Sequence, residues 1–216
     1  MHIPFAPSSS ICVTSFSKSL AEEEEHTRLY RERNTDFTLA ADSEEGYDRN
    51  KWLYVPDRYD EYRYILGTRG ERPLICLGVN PSTAAPGALD PTLKSVSRIA
   101  AANGFDSWMM FNVYAQRATR PDDMDKICNG TLHDENKKAF RWLLEHAGAE
   151  PALWAAWGAV IEKRDYLKQC VADFVAIGRE YNAKWYAAGK ISKAGHPHHP
   201  LYLKKDEKLF PFSPII

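Results

Sequence analysis

The stretch Leu74-Ile75-Cys76-Leu77-Gly78-Val79-Asn80-Pro81-Ser82-Thr83 decides the fold. Its apolar run from Leu74 to Val79 reads as a short buried strand, and it breaks at once into a polar Asn-Pro-Ser-Thr turn. Three later apolar runs read as strands that also end in polar loops. Trp108 to Val113 closes on Phe111-Asn112, and Ala152 to Trp157 closes on Gly158. Lys184 to Ala188 runs into Gly189, ahead of His196-Pro197-His198-His199-Pro200. Helical spacing lies between them. Pro91 to Asn103 carries Val96, Ile99 and Ala100 on one face, with Gly104 closing it. Thr131 and Asp134 are spaced as a capping box ahead of Ala139, Phe140, Leu143 and Leu144, and Val160 to Val175 is mostly helical. The order β-α-β-α-β-α-β, with right-handed crossovers, predicts an α/β fold. The expected architecture is a three-layer α/β/α sandwich with a mainly parallel four-stranded central sheet. Ligands bind at the carboxyl edge of such sheets. The loops beginning at Asn80, Asn112, Gly158 and Gly189 are therefore expected along one edge, with Asn80, Asn112 and His199 lining one cavity.

The chain bounds the function more loosely. Its 216 residues fit an N-terminal extension, residues 1–50, and one domain, residues 51–216. Within the extension, Ser19 to Arg33 reads as a short charged helix with a solvated face. Tyr62 to Gly67, Thr68 to Glu71 and Pro73 to Leu77 read as strand, turn and strand, an antiparallel pair leading into the main sheet. A hydrophobic share of 44% supplies a sizeable core, and a net charge of −1 carries no global basic signature for nucleic acid. Local basic clusters exist at Arg117 with Arg120, and at Lys184, Lys190 and Lys193. No apolar stretch reaches the roughly 18–20 residues of a membrane helix, and Met1 to Leu20 lacks the apolar centre of a signal peptide. Cys12, Cys76, Cys128 and Cys170 form no Cys-x-x-Cys pair, and Cys76 reads as core. The expectation is a soluble, reduced, cytoplasmic protein with no metal, iron–sulfur cluster or other cofactor.

Each polar candidate has two readings. Asn80-Pro81 is an ordinary turn or a functional loop, and Ser82 and Thr83 beside it are candidate ligand contacts. Asn112 either caps backbone groups at a strand end or reads a ligand. Asp90 before Pro91 caps the following helix or, as the carboxylate near the first loop, acts as a general base. Arg117 holds a phosphate or pairs with a surface acid. His196, His198 and His199 could ligate a metal, but an interposed proline and the want of nearby carboxylates favour a surface turn for His196 and His198. Trp154 and Trp157 read as core.

The loops resemble the motifs of the uracil-DNA glycosylase superfamily over roughly residues 72–205. They are Gly78-Val79-Asn80-Pro81-Ser82, then Met109-Met110-Phe111-Asn112-Val113 followed by Arg117 and Pro121, then Gly158 after Ala156-Trp157, then His199-Pro200-Leu201-Tyr202. A second and closer resemblance is to domain-of-unknown-function family 1643. It is carried by Asn80-Pro81-Ser82-Thr83-Ala84, Asp90-Pro91-Thr92, Asn112-x-x-Ala115-x-Arg117-Ala118-Thr119 and His199-Pro200-Leu201-Tyr202-Leu203. That second resemblance implies no activity. The first implies that Asn80 positions water, that His199 donates to the departing base, and that Asn112 reads the edge of a flipped base while Phe111 stacks on it. The implied function is N-glycosidic hydrolysis of a nucleobase, normal or modified, with DNA or a nucleotide as partner. The alternatives are a noncatalytic module that binds a modified base, or a small-molecule nucleoside or nucleotide hydrolase, which fits the near-neutral charge better. A DNA enzyme should have a basic rim and an apolar wedge at Leu201 and Tyr202; a small-molecule enzyme should have a closed pocket without that rim.

Overall fold

A computed structural model of the chain describes residues 46–214. Their strands are β1 (Trp52–Val55), β2 (Ile65–Thr68), β3 (Pro73–Gly78), β4 (Ser107–Asn112), β5 (Ala152–Ala155), β6 (Lys184–Ala188) and β7 (Leu209–Pro211). They form one seven-stranded sheet in the order β1-β2-β4-β3-β5-β6-β7. The inner strands β4, β3, β5 and β6 are parallel. Parallel neighbours need a crossover long enough to hold a helix. Here the crossovers hold α1 (Pro91–Ala102), α2 (Gly130–Glu145) and α3 (Tyr166–Glu180).

Strand alternation decides which helix meets which face. Leu74, Cys76, Trp108, Met110 and Trp154 pack with Leu93, Val96 and Ile99 of α1. On the opposite face Phe111 meets Phe140 of α2 and Phe174 of α3, with ring centroids 4.9 and 5.2 Å away. His133 Nε2 on α2 and Asp173 Oδ2 on α3 lie 2.8 Å apart and tie those two helices together. The chain therefore leaves β3 for a helix on one face and leaves the adjacent β5 for a helix on the other. Between the carboxyl ends of those two strands the connections diverge and a crevice opens.

The structure departs from the sequence reading in four places. The sheet has seven strands rather than four, because β1 and β2 extend it antiparallel at one side and β7 at the other. The expected pairing of β2 with β3 does not form. The β3 edge on that side is taken by β4, so β2 pairs with β4 on one side and with β1 on the other. Gly67 allows this close approach, since a Cβ there would stand 2.2 Å from the main-chain oxygen of Trp108. The α2 cap is Asn129, whose side chain accepts from the Leu132 N–H at 3.0 Å, rather than Thr131 with Asp134. The span expected as one helix from Val160 divides into a 3-10 turn, Gly158–Lys163, and α3, which runs on to Glu180. The charged helix expected at Ser19 to Arg33 lies outside the described residues.

Candidate active site at the carboxyl edge of the sheet

The crevice widens into a cavity of about 860 Å³, inside the roughly 300–1,000 Å³ range of small-ligand pockets. Its walls come from the loops after β3, β4, β5 and β6, from the first turn of α1, and from Arg63, two residues before β2. Of the residues singled out by sequence, Asn80, Ser82, Asp90 and His199 all line it.

Asn80 follows β3 and is held by its neighbours. Its Nδ2 donates to the main-chain oxygens of Ala118 at 2.7 Å and of Pro81 at 3.0 Å. Both amide hydrogens are thus used, and this identifies which end of the carboxamide is nitrogen. Oδ1 remains as an acceptor for water or for a ligand N–H.

His199 has the opposite polarity. Its Nδ1 accepts from the Leu201 N–H at 3.3 Å, at the start of the 3-10 turn Pro200–Tyr202. In the neutral ring the proton then sits on Nε2, which becomes the donor. Burial pulls the imidazole pKa below its ordinary value; Asp90 opposes this and His198 adds to it. The neutral donor form therefore prevails at neutral pH. Gly158 sits against this histidine with φ +59, and a Cβ there would lie 3.4 Å from the His199 Cβ.

Asp90 does what its sequence position suggested and more. It caps α1, with Oδ1 accepting from the Leu93 N–H at 2.8 Å. It is also the one carboxylate among the cavity-lining residues, and its charge acts on both His199 and Arg63.

Asn112 ends β4 on the same strand face as Met110, which lines the cavity. Asn112 is 1% exposed, and neither Nδ2 nor Oδ1 has a hydrogen-bond partner. A buried amide left wholly unpaired is costly. The absence of a side chain at Gly78 leaves room for it: a Cβ at Gly78 would stand 3.1 Å from Asn112 Oδ1 and 2.4 Å from Met110 Cε.

Four candidates do not line the cavity. Asn112, expected to line it with Asn80 and His199, is buried and is not among the lining residues. Phe111 is fully buried between Phe140 and Phe174, on the sheet face away from α1, so it is unavailable to stack on a ligand in the cavity. The reason is the two-residue period of a strand: with Met110 and Asn112 turned to one face, Phe111 must turn to the other. Thr83 is exposed and does not line the cavity. Arg117 does not line it either, and among the described residues it pairs with no acid. Its Nη1 donates to the main-chain oxygens of Ser82 and Ala84, its Nη2 donates to Tyr54 Oη at 2.8 Å, and its guanidinium lies over the Tyr59 ring. Arg117 thus braces the Asn80–Ala84 loop. All three histidines line the cavity, so His196 and His198 do not form the plain surface turn expected, and His196 has a carboxylate beside it, with Nε2 2.8 Å from Glu162 Oε1. Among the described residues no group of three or more His, Cys, Asp or Glu is arranged to hold a metal ion.

Arg63 was not singled out from sequence, yet it is the most unusual side chain at the site. It is 1% exposed and lines the cavity. Its Nη1 donates to the Ala84 oxygen at 3.1 Å, while Nε is buried without an acceptor. Burial and the adjacent Arg117 charge pull its pKa down to about 9, with Asp90 opposing, so it stays protonated at neutral pH. One signal for it was present: a lone cation inside the otherwise apolar and aromatic run Tyr62-Arg63-Tyr64-Ile65-Leu66.

These features define an α/β domain with its candidate site at the carboxyl edge of a parallel sheet. Residues 63–201 match the family described as "Protein of unknown function (DUF1643)", and the chain belongs to that family. No curated protein and no solved structure matches the chain. Among the described residues no helix is long and apolar enough to cross a membrane.

Proposed function

We propose that this domain is uracil-DNA glycosylase-like and that its cavity hydrolyses the N-glycosidic bond of a nucleobase. The observation that carries the reading is a pair of opposed polarities in one cavity: Asn80 keeps an acceptor, and neutral His199 keeps a donor. Glycosidic cleavage asks for both. The C1′–N bond breaks with its electron pair going to the base, and His199 Nε2–H meets the charge that develops there. Water bonds to C1′ and releases its proton. Asn80 Oδ1 can orient that water but cannot take the proton. The remaining Asp90 oxygen is the candidate to receive it, since Asp90 is the one carboxylate lining the cavity. Asn112 offers one donor and one acceptor with no internal partner, the set needed to read a base edge.

The test is base release. The protein is incubated with oligonucleotides and mononucleotides carrying normal, deaminated and modified bases, and abasic sites or free bases are measured. His199→Ala should lower the rate about 10²–10³-fold, the scale for one donor to developing charge, with a smaller effect on binding. Asn80→Asp should raise the rate. Absence of base release across the whole panel ends the hydrolase reading.

A noncatalytic module that binds a base is the second reading. It is favoured by one observation: the only lining carboxylate, Asp90, is already engaged as a helix cap. Tight binding without turnover, lost in Asn112→Ala, would select it.

A further inference from the structure

We propose that Arg63 forms a buried anion subsite in the cavity, and that the ligand it receives is the phosphate group of a small nucleotide. Arg63 is 1% exposed, and no carboxylate lies within ion-pairing distance of it among the described residues. Buried guanidinium groups are ordinarily paired, because an uncompensated buried charge is strongly unfavourable. Arg63 is worse placed than most, since Arg117 stands beside it and both donate Nη1 to the same Ala84 oxygen. Two like charges on one carbonyl oxygen leave an excess of positive charge at the cavity wall.

The surroundings extend the same polarity. The first turn of α1 opens onto the cavity through Asp90, Thr92 and Leu93, and a helix N-terminus favours negative charge. Ser82 and Lys190 also line the cavity and can donate to phosphate oxygens. Asp90 offsets part of the charge, but one of its oxygens is committed to the Leu93 N–H. The forked donors of a guanidinium match phosphate oxygens in pairs.

The burial of the charge favours a small nucleotide, although Leu201 and Tyr202, exposed and lining the cavity, are the wedge a polymer enzyme would use. The charge sits inside the cavity wall rather than on an exposed surface. A phosphodiester strand must continue past its binding point on both sides, whereas a terminal phosphate can end there. The nucleobase half of this ligand rests on the function proposed above; the phosphate half rests on Arg63.

The test uses the full chain as wild type, Arg63→Met and Arg63→Lys. Inorganic phosphate, the deoxynucleosides, their 5′-monophosphates and a single-stranded oligonucleotide are titrated by calorimetry at constant ionic strength. Inorganic phosphate should bind the wild type and not Arg63→Met. For at least one base, the monophosphate should bind about 10- to 100-fold tighter than the nucleoside, the scale of hydrogen bonds to a charged group. Arg63→Met should bring that ratio near unity without weakening nucleoside binding, and Arg63→Lys should keep part of it. A wild type without a phosphate advantage for any base overturns the proposal. An advantage that survives Arg63→Met does the same, as does an oligonucleotide that binds tighter than every monophosphate and depends on Arg63. If Arg63→Met does not fold, the wild-type ratios and Arg63→Lys decide. Base release is scored separately: a phosphate advantage without release overturns only the hydrolase reading, and release without an advantage overturns only this one.

Discussion

His199 and Asn112 carry the sharpest expectations at the scale of single residues. His199 is pulled below the ordinary histidine pKa by burial, against the pull of Asp90 and with the help of His198. Between that lowered value and about 6.5, the unfolded chain binds a proton that the folded chain does not. Stability should therefore fall as pH drops through about 6.5 and be unaffected by this residue above it. His199→Gln should flatten that part of the curve, as read from urea midpoints; an unchanged slope would mean that the imidazole is not desolvated. Asn112 has both amide atoms buried and unpaired. Asn112→Leu, of similar size, should stabilise the ligand-free protein by about 1 kcal/mol, because a desolvated amide disappears, while weakening ligand binding. A lower melting temperature for this variant would mean that the amide has a partner in solution. Such residues were legible in part. Asn80, Asp90 and His199 stood out because each follows an apolar run or precedes a helix-starting proline. Phe111 misled because the motif reads as a linear string, whereas the strand sends adjacent side chains to opposite faces. Arg63 was missed because its significance lies in the absence of a partner, and only folded coordinates reveal which groups have none.

At the scale of elements, the parallel centre of the sheet was readable from four apolar runs separated by helical spacing. Of the antiparallel additions, β2 was read as a strand but given the wrong partner, and β1 and β7 were not read. β1 spans four residues and β7 three, too short for a periodic signal, and the pairing of β2 depends on which strand reaches the β3 edge. Gly67 is the marker that sequence offered without a meaning attached. Its Cβ would meet the Trp108 oxygen at 2.2 Å and the Met109 Cα at 2.7 Å. Both are backbone atoms and cannot swing aside. Gly67→Ala should therefore push β2 away from β4 and cost about 3 kcal/mol, the upper part of the overpacking range. Chemical denaturation would measure it, and a loss below half that figure would mean that the sheet bends freely there. Because Arg63 sits just before β2, the same change should also weaken anion binding.

Across the whole molecule, the outer strands brace the core and the cavity loop, through Tyr54 and Arg117, and also cover the edges of β2 and β6. The family match covers residues 63–201, and β1 and β7 fall outside it on either side. A chain trimmed to the matched residues would still contain the cavity walls from Arg63 to Leu201, but it would leave the outer main-chain groups of β2 and β6 without the strands they now pair with. An uncovered strand edge is a template for another chain. The trimmed protein should self-associate in size-exclusion chromatography at concentrations where the full chain gives a single peak, and restoring residues 46–62 and 202–214 should reverse this. A monomeric trimmed chain would mean that its loops shield the edges. On this view, β1 and β7 also help to keep one copy of the sheet from adding to the next.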